Sequence, residues 1–135
     1  MPPRPAPSPR LNPDAGTPSV MIVEDEALIA FSLEDAFGDE GYAITGSFSS
    51  CAKALASLGS KLPDVAIVDA TLSDGTCLDL ARELRRLGVP FLVYSGRNAI
   101  DEQAPELEGI LWIEKPAPPS EVLRAASKLL ARENA

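Results

Sequence analysis

Three short apolar runs, "SVMIV" at 19–23, "VAIV" within 64–69 and "FLVY" within 90–95, constrain the fold of this chain more than any other feature. Runs of this length without polar alternation suit central strands of a parallel sheet, buried on both faces. Segments of helical period separate them. Residues 26–40 carry Ile29, Leu33, Ala36 and Phe37 at helical spacing, and Gly41 stops them. Residues 49–59 start with serine and end at Gly59, while 76–87 place Leu80, Leu84 and Leu87 on one face before Gly88. Two further strands, "YAITG" at 42–46 and "ILWIEK" at 110–115, bring the number to five. Residues 119–132 close as a helix, with Ser120 as the expected N-cap and Val122, Leu123, Ala126 and Leu130 as its apolar stripe. Strands alternating with helices predict an α/β fold, a doubly wound five-stranded parallel sheet with helices on both faces. Over 96–109 the period weakens around Pro105, so a fourth helix there is expected to be short or irregular.

Residues 1–18 hold seven of the thirteen prolines and no apolar period, which reads as a disordered, extended tail. It has no apolar segment of a signal peptide. The folded domain is expected over 19–135.

The chain of 135 residues, 45% hydrophobic, can fold around one core without disulfides. Its two cysteines, Cys51 and Cys77, form no CxxC pair and are expected as reduced packing residues, which fits the cytoplasm. No run approaches the ~18 apolar residues of a membrane span. A formal charge of −8 disfavours non-specific nucleic-acid binding. Histidine is absent, which removes Ser-His-Asp and Cys-His catalysis, His-ligated zinc and phosphohistidine on this chain. Chemistry must run on carboxylates, hydroxyls and lysine, with a hard metal ion as an option.

In a parallel sheet, ligands bind at the carboxyl ends of the strands. Here the first strand ends in Glu24 and Asp25, the third in Asp69, the fourth in Ser95 and the fifth in Lys115. Singly, each has an ordinary reading. The acids can cap a helix, Ser95 can be a loop hydroxyl and Lys115 a solvated cation. Together they are a rarer set. Carboxylates crowded within ~4–6 Å repel unless something neutralises them. Magnesium suits an oxygen-only site with few protein ligands and a phosphate. Asp69 can then attack phosphorus to form an acyl phosphate, with Lys115 and Ser95 on the phosphoryl oxygens. Asp74, in "DATLSDG", reads as the cap of the third helix, and Asp64 as part of the turn into the third strand.

The motifs "VMIVEDE", "VAIVDATLSDG", "FLVYSG" and "WIEKP" resemble the receiver domain of two-component response regulators, over about residues 19–132. The resemblance implies a flavodoxin-like topology, Mg2+ held by Glu24, Asp25, Asp69 and the backbone carbonyl of Thr71, and phosphoryl acceptance by Asp69. It implies Ser95 as a switch hydroxyl, Lys115 as phosphoryl-binding, and Trp112 as a mobile aromatic that reports the switch. For Trp112 the residues alone also support a plain core aromatic. The donor implied is a sensor histidine kinase or a histidine phosphotransfer protein, and an unidentified downstream protein reads the result. The function implied is a stand-alone, single-domain regulator in a phosphorelay, with phosphoryl transfer altering the fourth strand, fifth strand and last helix. The alternative is a non-switching receiver, a phosphate sink or docking module. No enzyme activity is expected beyond the chain's own phosphorylation and slow autodephosphorylation, and the state expected is a monomer or weak dimer.

Departures from the family pattern are Ser73 where proline is usual, Ser95 for threonine, Gly96 for alanine, and an interval of 20 residues from Ser95 to Lys115, slightly compressed. The short segment after Ser95 resembles stand-alone receivers with an altered fourth helix. Rival readings fit less well. A dehalogenase-like phosphatase needs a second aspartate where Thr71 stands, and a flavodoxin needs a phosphate loop where "EDEA" would repel phosphate. A pseudo-receiver should have lost Asp69, Lys115 or the acid pair, and a DNA-binding output module is not expected in a chain ending soon after the last helix.

Overall fold

The computed structural model describes residues 16–69, 77–96 and 105–133. Five strands form one parallel sheet: β1 Ser19–Val23, β2 Ala43–Phe48, β3 Val65–Val68, β4 Phe91–Ser95 and β5 Trp112–Glu114. Their spatial order is β2-β1-β3-β4-β5. Among the described residues, three helices lie between strands, α1 Ala27–Asp39, α2 Cys51–Ser57 and α3 Cys77–Arg86, and a fourth, α4 Pro119–Glu133, follows β5. The expected α/β architecture is therefore the one found. Between β4 and β5 the described residues hold only a 3-10 turn, Pro105–Leu107; the rest of the expected irregular helix lies outside them.

The central strands build two cores at once. Val20, Ile22, Val65, Ile67, Leu92 and Tyr94 face one way and meet Leu33 and Phe37 of α1 and Val122 and Ala126 of α4. Met21, Val23, Ala66, Val68, Phe91 and Val93 face the other way and meet α2 and α3. Period-two alternation thus fills both faces, which is why Val20–Val23, Val65–Val68 and Phe91–Val93 contain no polar residue. Edge strand β2 is different. It is half-exposed, and its register slips between Val20 and Met21, leaving Thr45 extra with its Oγ1 donating to the Val20 carbonyl at 3.2 Å. This bulge carries the strand to Phe48, two residues past its expected end.

Helix ends follow the local chemistry, with one correction. Gly41 and Gly88 take φ of 92° and 74° where α1 and α3 stop, a conformation glycine adopts without steric cost. Ser50 caps α2 by accepting from Lys53 N–H at 3.1 Å. Ser120, expected as the N-cap of α4, instead lies inside its first turn. The helix begins at Pro119, and Glu121 N–H donates to the Pro118 carbonyl. Proline at the first helical position loses no bond, because that N–H has no partner within the helix.

The cysteines need the second correction. Cys51 and Cys77 are not separate thiols; they are joined in a disulfide, with Cα atoms 5.2 Å apart. Each heads a helix, and α2 and α3 lie side by side on one face, so residues 26 apart in sequence meet. Nothing local in the sequence encodes that meeting. Both remain packing residues, at 0% and 5% exposure.

Candidate functional site

The order of the sheet leaves a crevice between β1 and β3, where the chain's progress across the sheet reverses. The residue after β1 is Glu24 and the residue after β3 is Asp69. Strand pairing fixes them side by side: Val23 pairs with Val68, and Asp69 N–H donates to the Val23 carbonyl at 2.9 Å. Ser95 ends β4, and its partner Glu114 on β5 immediately precedes Lys115. Four of the expected side chains therefore arrive on one sheet edge through register alone.

Lys115 Nζ lies 2.9 Å from Asp69 Oδ2 and 2.8 Å from Glu24 Oε1. Ser95 Oγ donates to Asp69 Oδ1 at 2.9 Å, so each carboxylate oxygen of Asp69 has its own donor. Glu24, Asp69 and Ser95 are buried. Asp25 is exposed beside them, and Glu24, Asp25 and Asp69 offer oxygens within 4.8 Å of one another. Thr71 lies outside the described residues, as does Asp74.

One acid at the site, Glu24, resists ionisation. Burial pushes the Glu24 carboxyl above its ordinary value, and the Asp69 charge adds to this; the adjacent Lys115 ammonium and a bond from the Glu26 N–H oppose but do not cancel it. Burial also disfavours the Lys115 ammonium, yet Glu24 and Asp69 outweigh that and hold it protonated. The approach of Lys115 to Glu24 Oε1 is an ion pair without hydrogen-bond alignment, so this buried oxygen has no aligned donor among the described residues. An oxygen-only trio holding a buried, unaligned carboxylate oxygen fits a hard divalent cation such as magnesium.

Three neighbours were not singled out from the sequence. Glu26 Oε1 stands 3.5 Å from Lys115 Nζ. The Tyr94 ring lies 5.6 Å under the same ammonium, and its hydroxyl donates to the Ala117 carbonyl at 2.8 Å. Tyr94 thus supports Lys115 from below and anchors the chain beyond the cis Lys115–Pro116 peptide. The third neighbour, Leu28, lies in the first turn of α1 and is 83% exposed, with Phe31 one turn on at 67%. Trp112 is half-buried on the α2/α3 face, paired with Val93 and away from the ion-pair cluster.

No helix among the described residues is long and apolar enough to cross a membrane. The receiver domain described as "Response regulator receiver domain" matches residues 20–127. The "Probable transcriptional regulatory protein TcrX" of Mycobacterium tuberculosis is 32% identical across 84% of this chain and 50% of its own length. The transcriptional regulatory protein PdtaR of the same species is 29% identical across 92% of this chain and 62% of its own. This chain spans about half to three-fifths of these relatives. Among solved structures, a response regulator receiver protein from Sinorhizobium medicae WSM419 superposes with a TM-score of 0.76 at 25% identity, covering 87% of this chain and 97% of that one. A CheY-like receiver domain from Methanospirillum hungatei JF-1 gives 0.77 at 21% identity over 87% and 96%, a likeness of fold. With a parallel sheet of matching order and strand ends that converge on one acidic crevice, the chain belongs to the response regulator receiver domain family.

Proposed function

We propose that this receiver accepts a phosphoryl group on Asp69 from a phosphohistidine carried by a sensor histidine kinase or histidine phosphotransfer protein. The observation that carries this reading is the Asp69 carboxylate held between the Ser95 hydroxyl and the Lys115 ammonium, beside the two further acids Glu24 and Asp25. In the transfer, an Asp69 oxygen forms a bond to phosphorus as the phosphorus–nitrogen bond to the donor's imidazole breaks, and the electron pair leaves with that nitrogen. Glu24, Asp25 and Asp69, with the Thr71 carbonyl, are the proposed ligands of Mg2+, which when bound would supply charge neutralisation of the acids and the phosphoryl oxygens. Lys115 moves from the carboxylate to a phosphoryl oxygen, and Ser95 follows it, so the two donors that hold Asp69 now become its stabilisers in the product.

Exposed Leu28 and Phe31 support a protein donor. They lie within two turns of the acids, where burying two large apolar side chains can seat a partner next to Asp69. Such donors are made from ATP in the cytoplasm, the compartment we assign. The Ser95 movement is proposed to pass to β4, β5 and α4, with Trp112 as its reporter.

The test is phosphorylation by a small-molecule phosphodonor with Mg2+, with the site mapped by mass spectrometry. Asp69→Asn is expected to lose all base-labile label while keeping its circular dichroism, and Asp74→Asn to label nearly as the parent does. Label at parental level in Asp69→Asn moves the acceptor elsewhere.

A further inference from the structure

The disulfide sits directly behind the acidic crevice. Cys51 and Cys77 are the first residues of α2 and α3, buried in the cluster that also holds Val23 and Val68, the residues just before Glu24 and Asp69. Cys77 Sγ lies 3.6 Å from the backbone oxygen of Asp69. As a thiol, Cys77 has a proton to donate to that oxygen; as half of a disulfide it has none. The redox state of the pair therefore changes what meets the carbonyl of the proposed acceptor. It also changes a tether. The bond fixes the start of α3, where the connection that leaves Asp69 ends, against the start of α2. In a reducing compartment, disulfides that do form are mostly transient or sensing ones.

We propose that Cys51 and Cys77 are a reversible dithiol–disulfide site coupled to the chemistry of Asp69; the coupling rests on the phosphoacceptor reading above. The co-reactant is a small-molecule disulfide such as glutathione disulfide. One cysteine thiolate attacks it, forming a mixed disulfide and releasing one glutathione thiolate. The second cysteine thiolate attacks the protein sulfur of that mixed disulfide and releases the second glutathione. The protein loses two thiol protons and two electrons, and the glutathione disulfide gains them as two thiols. Because both cysteines are buried, exchange requires local opening of the helix starts and is slow. Closing the tether removes freedom beside Asp69 before any ligand binds, so the disulfide form is the better prepared one.

The experiment poises the full chain in glutathione buffers of stepped ratio and reads the disulfide fraction by alkylation and mass. In each pure form, binding of Mg2+ with beryllofluoride, a mimic of the aspartyl phosphate, is measured by calorimetry, and labelling by a small phosphodonor is timed. We expect a two-electron transition, about fivefold tighter binding of the mimic to the disulfide form, and faster labelling of it. Reciprocity then requires the mimic to displace the redox midpoint by the same fivefold factor, about 20 mV toward reducing potentials. Cys51→Ala and Cys77→Ala are each expected to go no further than the mixed disulfide with glutathione, and the double alanine variant to respond to no buffer ratio. The proposal is overturned by two alkylatable thiols at every ratio, by equal mimic affinity and labelling in both forms, or by a mimic affinity that still follows the buffer ratio in the double alanine variant. An intact redox transition with no label and no mimic binding in either form strikes the phosphoacceptor reading and takes the coupling with it, and the intact transition identifies that outcome.

Discussion

Lys115 is the residue on which the charge of the site balances. Its side chain is 14% exposed, and it faces two carboxylates at 3% each. Removing one partner of so buried a cluster leaves charge without compensation, a loss of about 3 kcal/mol. The pH dependence has a definite sign. Glu24 is raised above 4.5 in the folded protein, chiefly by burial. As pH rises from that value, the unfolded chain releases its proton first, so the folded state binds more protons and stability falls across the window up to the raised value. Lys115 limits this fall by stabilising the ionised carboxylates. Lys115→Met is therefore expected to unfold at lower urea than the parent at pH 8 in the presence of a chelator, with the gap narrowing toward pH 5. Equal midpoints at pH 8 mean that the acids are compensated by some other group. The same variant bears on Tyr94, whose ring loses its cation but whose hydroxyl keeps Ala117 in place.

At the scale of elements, legibility followed burial. Strands β1, β3 and β4 are enclosed on both faces, so their apolar runs mark them within a residue, and their ends delivered Glu24, Asp69 and Ser95 to one edge as expected. Edge strand β2 has one poor face and a bulge, and its bounds moved. Ser120 misled because a serine near a helix start is a good cap only if nothing earlier starts the helix, and Pro119 does. The disulfide and the Tyr94 support were invisible for a different reason: both depend on which elements become neighbours, and no spacing in the chain carries that. Trp112 tests the element pair β4–β5. It faces the same side as Val93, two residues before Ser95, and borders an open groove lined also by Phe91, Ile110, Arg124 and Leu129. If Ser95 moves toward a phosphoryl group, the space it leaves is on the tryptophan's own side of the sheet. Trp112 emission is expected to shift on addition of Mg2+ and beryllofluoride, and Ser95→Ala to bind the mimic but lose most of the shift. Unchanged emission with the mimic bound by calorimetry makes Trp112 a core aromatic only.

For the whole molecule, two electrostatic effects overlap and have to be separated. The chain carries a formal charge of −8, and self-repulsion of that kind is relieved by any salt, because screening acts over a Debye length of about 10 Å at 0.1 M. The crevice is a local case of the same repulsion, with oxygens of three acids inside 4.8 Å of one another. A bound divalent ion stabilises the folded state by mass action, about 2.7 kcal/mol at a hundred times its dissociation constant, whereas screening saturates and does not distinguish ions. For a domain of this size that corresponds to a rise in Tm of about 8 °C. Mg2+ is therefore expected to raise Tm well beyond NaCl at matched ionic strength, and the excess to grow with the logarithm of Mg2+ concentration. Asp25 is exposed and shares no ion pair with Lys115 among the described residues, so its charge serves the ion more than the fold. Asp25→Asn is expected to melt slightly above the parent in chelator and to lose most of the Mg2+ excess, while responding to NaCl as the parent does. If NaCl at equal ionic strength reproduces the Mg2+ shift in the parent, the stabilisation belongs to the net charge of the molecule and the crevice holds no specific ion.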